Sequence, residues 1–270
     1  MLRYDRLLLI ILVFFLVGLF YWVYYMGHEE NSFYLIPVVM AIVTVYIFTP
    51  QIEWWGNAKY PIRVDKVIRK MLYDKVSFYR RLTDEEQARF DKRLWLSIRH
   101  KDWTGMKLKN IPEDIKAMVM TPAIILTFYK SSYLFEDYER IYLYKHPFPS
   151  PRYSKWHASE IHHEDGLLIF SIEQLFNAFL HPNKYYNIAL HEWAGAYLHE
   201  YTLDSFVGMK WLDKEELNQI GPYDFTAIEA WLGLPVEDLR QVCIHHFIQF
   251  PSAMKQAFPD FFMKMKEAFS

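Results

Sequence analysis

The sequence predicts an α+β domain behind an N-terminal two-helix transmembrane hairpin. Three observations predict it. Two apolar runs lie within the first 50 residues. Helix-spaced apolar patterns with clear start signals then alternate with two short strand-like runs. Late in the chain, Asn187-Ile188-Ala189-Leu190-His191-Glu192-Trp193-Ala194-Gly195 sets a His–Glu pair on a helical pattern.

The hairpin comes first. Leu7 to Met26 carries no charged residue and is long enough to cross a bilayer as a helix. Phe33 to Phe48 is shorter, and Tyr34 and Trp54-Trp55 near its ends suit a return helix anchored at the interface. The connection, Gly27 to Ser32, is short and acidic. Arg3 and Arg6 precede the first run, and Lys59, Arg63, Lys66, Arg69 and Lys70 follow the second. The positive-inside rule then puts both the N-terminus and everything after residue 50 in the cytoplasm, on an inner-membrane anchor. A cleaved signal peptide is the competing reading. It fails because no small-residue cleavage site follows the first run and a second apolar run comes straight after. The expected organisation is a hairpin over 1–50, a juxtamembrane connector over 51–75 and a domain over 76–270.

Composition narrows the function. With 52% hydrophobic residues, the chain can bury one core and still supply an anchor. A formal net charge of −2 and no basic tract give no sign of nucleic-acid binding. The single cysteine, Cys243, rules out an intramolecular disulfide and fits a reducing compartment.

The domain's elements follow in order. Thr83-Asp84-Glu85-Glu86 is a capping box, and Phe90, Leu94 and Ile98 continue at helical spacing to about His100. Pro112 opens a buried helix through Ile115, Met118, Val119 and Ala123 to Phe128, with Pro122 a candidate kink. Arg140 to Tyr144 and Leu167 to Ser171 read as strands, the second after a turn at Asp165-Gly166. Asn183 is a candidate cap for the helix that carries His191 and runs to about Tyr201. Residues 204–225 read as a loop with a short helix. Pro235 opens a helix from about Val236 to Gln249, and Pro259 precedes a last amphipathic one.

The pair His191-Glu192 begins the zinc-peptidase pattern H-E-x-x-H, in which two imidazoles one turn apart face one metal and the Glu activates the bound water. Here Gly195 stands where the second His would be. A glycine inside a helix costs about 1 kcal/mol against Ala, so Gly195 marks close packing of another backbone into the emptied space.

With these residues in hand, the chain resembles the MtfA family of zinc-dependent peptidases over most of residues 75–269. The likeness runs through Phe78 to Leu82, the capped helix with Arg89-Phe90, the Pro112 helix, Ile141 to Tyr144 and His157 to Phe176. Its centre is Asn187 to Gly195, against a family pattern like N-x-x-x-H-E-F-A-H. It ends at Phe247 to Pro251 and Phe258-Pro259. The resemblance implies a zincin-like fold: a small sheet over the H-E-x-x-H helix, and a second helix that supplies an acidic third ligand. It also implies a repertoire of partner binding as well as proteolysis.

Carried over position by position, the resemblance makes His191 a metal ligand and Glu192 the general base. The third, acidic ligand falls on Asp238, with Glu237 one residue away. His245 falls on a family Glu and is a candidate replacement ligand. His191, Asp238 and His245 form an acceptable zinc set by chemistry. The rise between Asp238 and His245 is about 10 Å, which demands a bent helix. His199 lies about 12 Å up the axis from His191 and turned by about 80°, so it cannot share an ion from the same helix. His157, His162 and His163 read as exposed loop histidines. A catalytic zinc wants three protein ligands, so zinc is expected to be weak or absent. The leading expectation is a degenerate peptidase that binds a protein or peptide partner at the membrane. The alternative is an active, aminopeptidase-like metallopeptidase with a rearranged metal site, and a membrane scaffold is the third.

Overall fold

The computed structural model describes residues 4–49, 51–52, 56, 64–201 and 206–269. Arg3, the Trp54-Trp55 pair, Lys59 and Arg63 lie outside them. The chain divides into two compact units, Met1–Ile62 and Arg63–Ser270.

The first unit holds helix α1 (Tyr4–Tyr25), a 3-10 turn (Glu29–Tyr34) and helix α2 (Leu35–Ile47). Gly27 takes φ of 78°, which L side chains rarely adopt, and the chain reverses there. Phe14, Phe15, Ile36, Met40 and Ile47 all point outward, each at least 60% exposed. Such a surface suits a lipid solvent rather than water. Leu7–Tyr25 and Glu29–Ile47 are each long and apolar enough to cross a membrane.

In the second unit, helix α3 (Lys66–Lys75) is capped by Asp65 and buries Ile68 and Leu72. A short helix α4 (Ser77–Arg80) follows. Both are tied to α5 (Asp84–His100) through Asp91, which accepts from Arg69 at 2.6 Å and from the Tyr79 hydroxyl at 3.0 Å. The Thr83–Glu86 capping box forms at the start of α5 as the sequence requires. Helix α6 (Glu113–Leu126) is buried along most of its length and carries Pro122 inside it.

One four-stranded sheet has the order β1-β2-β4-β3. β1 (Asp102–Gly105), β2 (Arg140–Tyr144) and β4 (Leu167–Ser171) run parallel, and β3 (Ser159–His162) pairs antiparallel to β4 at the edge. The sequence reading anticipates β2 and β4. It places residues 159–162 in a loop, because a four-residue strand with mixed burial carries too little periodicity to be read.

Helix α7 (Ile172–Leu180) leads to α8 (Ile188–Glu200), which is buried from Ile188 through Tyr197. Its cap is Asn187, whose side chain accepts from Leu190 N–H, and not Asn183. A short α9 (Lys214–Leu217) and α10 (Phe225–Leu232) precede α11 (Leu239–Gln249). That last helix starts three residues later than Pro235 suggests, because Asp238 takes the cap and accepts from Arg240 N–H. Helices α12 (Pro251–Ala257) and α13 (Pro259–Ala268) close the chain. The core lies where α8 packs between α6 and α11 and against strands β3 and β4.

Candidate functional site

Helix α8 brings one stripe of residues to a cavity. His191, Glu192, Gly195, Leu198 and His199 follow helical spacing, and all five line it. Trp193 holds the opposite side: its indole N–H donates to Val119 carbonyl at 2.8 Å, and its ring packs on Phe135. The facing walls are β3, through Ser159, Glu160 and Ile161, and the stretch before α11, through Leu234, Pro235, Glu237 and Asp238. The cavity holds about 320 Å³.

The two walls meet at Gly233. It ends α10 with φ of 79°, and a Cβ there would overlap the Trp156 carbonyl. Ala158 N–H then donates to Leu232 carbonyl at 2.8 Å, which sets the start of β3 against the end of α10. Only glycine permits both the turn and the approach.

His191 is 6% exposed, and its Nδ1 sits 2.9 Å from the Tyr186 hydroxyl. That contact fixes the ring and leaves Nε2 as the remaining lone-pair or proton site. Burial pushes its pKa down to about 4, against the pull of the Asp238 carboxylate. Glu192 is pushed the other way, to about 7. Burial is the main cause. The hydrogen bond from Ser159 Oγ to Glu192 Oε1, 2.6 Å long, opposes it, and repulsion from Glu160 and Glu237 adds to it. A carboxyl poised near neutral pH suits proton transfer.

Asp238 reaches the cavity, but its carboxylate is occupied. Arg240 Nε lies 2.9 Å from both oxygens and Arg240 Nη2 2.7 Å from Oδ2. The alternative position, Glu237, accepts from the Tyr153 hydroxyl at 3.0 Å. His191, Glu192 and Asp238 therefore share one cavity.

His245 does not join them. It is fully buried one layer behind the cavity wall, and its Nε2 accepts from the Asn187 backbone N–H at 3.1 Å. Its ring stacks on Tyr186 at 3.9 Å. Helix α11 runs without a break from its Asp238 cap, so His245 lies two turns from Asp238 along it. Burial and the neighbouring His246 and His191 hold its pKa well below the usual histidine range.

Two of the three histidines read as exposed loop residues, His157 and His162, are placed differently, while His163 does lie exposed in the turn after β3. His157 is 1% exposed, donates from Nδ1 to Lys155 carbonyl at 2.8 Å and meets Glu160 Oε2 through Nε2 at 3.1 Å. His162 stands in β3, 2.9 Å from the other Glu160 oxygen. Glu160 is thus buried between two imidazoles. His163 stacks on His199 at 4.6 Å and is hydrogen-bonded to the Tyr138 hydroxyl. Ser159 was missed because its partner, Glu192, lies on a helix 33 residues away, and the His157–Glu160–His162 cluster because β3 itself was read as a loop.

The space beside Gly195 is filled by a side chain and not by a second backbone. A Cβ on residue 195 would overlap Gln241 Nε2 and lie 3.3 Å from Gln241 Cδ. Gln241 comes from α11, one turn beyond Asp238. The available signal was that spacing, i to i+3 from a candidate ligand.

A catalytic zinc needs three protein ligands with an open position. Of the positions that H-E-x-x-H chemistry would use here, His191 offers an imidazole, Asp238 offers a carboxylate clamped by arginine, and residue 195 offers none. Among the described residues, no three His, Cys, Asp or Glu side chains are grouped to hold a metal ion. The residues present do not fit the metal that H-E-x-x-H chemistry uses.

A family model described as glucose-regulated metallo-peptidase M90 matches residues 53–198, more than half of the chain. The match includes β3 and most of α8 and ends before α11. A search of curated proteins finds no match.

Proposed function

The chain belongs to the glucose-regulated M90 metallopeptidase family, and we propose that within it this protein is a membrane-anchored, catalytically degenerate member. Its cavity binds a peptide or protein segment without efficient hydrolysis. The observation that carries this reading is Gly195 in place of the second imidazole, with the Gln241 amide in the space it leaves. The arginine clamp on Asp238 supports it, since a ligand already paired with a guanidinium must break that pair to bind a cation.

The binding role draws on the walls. β3 is an edge strand, so its outer backbone groups are open to an added extended segment. Ser159 to Ile161 of that strand line the cavity, so a side chain of such a segment reaches the space above His191 and Glu192. The two apolar helices of the first unit supply the anchor. The domain faces the cytoplasm by the charge bias of the flanks. In this reading the fold is zincin-like, with the sheet over α8 and the acidic position at the start of α11.

A second reading is an active metallopeptidase with a rearranged site, and one observation favours it. Glu192 keeps a pKa of about 7 and a hydrogen-bonded orientation, both of which suit a general base. Peptide cleavage separates the two. Wild type and Glu192→Gln should show the same background on a mixed peptide substrate. Turnover by wild type that Glu192→Gln abolishes would establish the second reading instead.

A further inference from the structure

Gly195 sits in the middle of a regular buried helix, and its φ lies outside the region that favours glycine. Backbone conformation therefore gives no reason for a glycine here. The reason is the neighbour. Gln241 is 8% exposed, and its amide lies where the first side-chain atom of residue 195 would go. Any residue with a side chain at 195 must push that amide, and the open space beside it is the cavity itself.

The amide has no other employment. Among the described residues, no hydrogen bond of the Gln241 side chain to protein is found, although Gln241 lines the cavity. A carboxamide offers two N–H donors and one carbonyl acceptor. It carries no charge and is not one of the groups from which protein zinc sites are built.

We propose that Gln241 is the residue that closes the metal position. Its carboxamide takes the place of the second imidazole and gives the cavity a neutral hydrogen-bonding group where a metal ligand would stand. This rests on the reading of the cavity as metal-free and names the side chain responsible. One consequence is specific. Restoring the imidazole alone is not enough, because Gly195→His drives the amide into the space that an ion facing His191 would use. Removing the amide at the same time opens that space.

The test uses the full-length chain in detergent as wild type, Gly195→His, Gln241→Ala and the double variant. Each is titrated with zinc ion, and with cobalt ion for its visible absorption. The double variant should bind zinc at least roughly tenfold more tightly than Gly195→His, a factor of the size that single changes around a metal site produce. Only its cobalt form should show the spectrum of a four-coordinate site. Equal affinity in Gly195→His and the double variant would overturn the proposal, because the amide would then be swinging aside freely. So would a double variant no tighter than wild type, or Gln241→Ala alone matching the double.

A smaller pair reads the same contact without a large side chain. Gly195→Ala should raise the melting temperature more in the Gln241→Ala background than in wild type. Equal shifts in the two backgrounds would also count against the proposal. Stoichiometric zinc in the wild type would instead remove the metal-free reading, and the comparison of backgrounds still decides the role of Gln241.

Discussion

Ser159 on the edge strand donates a 2.6 Å hydrogen bond to Glu192 on α8. It joins the sheet to the helix at the carboxyl of the His191–Glu192 pair. It also works against burial, the main cause of the raised Glu192 pKa, and against the repulsion from Glu160 and Glu237 that adds to it.

Ser159→Ala should therefore raise the Glu192 pKa above about 7. The lost bond is stronger to the ionised carboxylate than to the acid. The expected loss of stability is about 1–3 kcal/mol above that pKa and smaller at pH 5.5. Thermal melts at pH 5.5 and 8.5 check this, and equal losses at both would contradict it.

Glu192→Gln should stabilise the domain at alkaline pH relative to wild type. The folded pKa of about 7 lies above the ordinary 4.5, so the fold binds a proton the unfolded chain has released. Stability from this group is complete below 4.5 and lost as pH rises through 7, by about 3 kcal/mol in all. The variant removes that loss. Urea unfolding at pH 5 and 8 should show its advantage growing with pH.

The buried histidines act with the opposite sign. His191 and His246 are each held down to about 4 by burial, so the unfolded chain takes up protons first as pH falls. Stability is complete above 6.5 and declines as pH falls to 4, by about 3 kcal/mol for each group. His246→Leu should flatten the acid side of the melting-temperature profile by about half of that combined slope. An unchanged slope would mean that His246 is charged in the fold.

His245→Ala should destabilise the domain by about 1–3 kcal/mol, since Asn187 N–H loses its acceptor at the start of α8. The packed ring against Tyr186 adds to the loss. Metal content should not change. A variant of normal stability that loses metal would place His245 among the ligands after all.

The parts legible in the sequence were those with local causes. The Thr83 capping box and the strands at 140–144 and 167–171 announce themselves by cap chemistry or by compact apolar runs. The start of α11 was misread because Pro235 looks like a helix opener, while Asp238 supplies the actual cap. The cap of α8 was placed four residues early for a similar reason, since Asn183 and Asn187 are equally good caps by type. At the cavity, His191 and Glu192 were singled out by the motif and Asp238 by the family resemblance, and all three line it. Ser159 and Gln241 were not singled out, because each acquires its role through a contact with a different element, and Glu160 was not, because its strand was read as a loop. His245 was drawn toward the metal by its chemistry, and its position two turns along α11 puts it instead on Asn187 N–H and Tyr186.

Topology gives a separate test. The basic residues before the first apolar run and after the second, and the acidic connection between the runs, predict a cytoplasmic C-terminus. A reporter active only outside the inner membrane, fused after Ser270, should stay silent. A strong signal would reverse the orientation.

The central claim we propose is that the cavity at His191 and Glu192 lacks a second imidazole at residue 195 and holds no catalytic zinc. Elemental analysis of the full-length protein, purified without chelators, tests that claim most directly. The expected result is far less than one zinc per chain, unchanged in His191→Ala. One zinc per chain in the wild type, lost in His191→Ala, would contradict it.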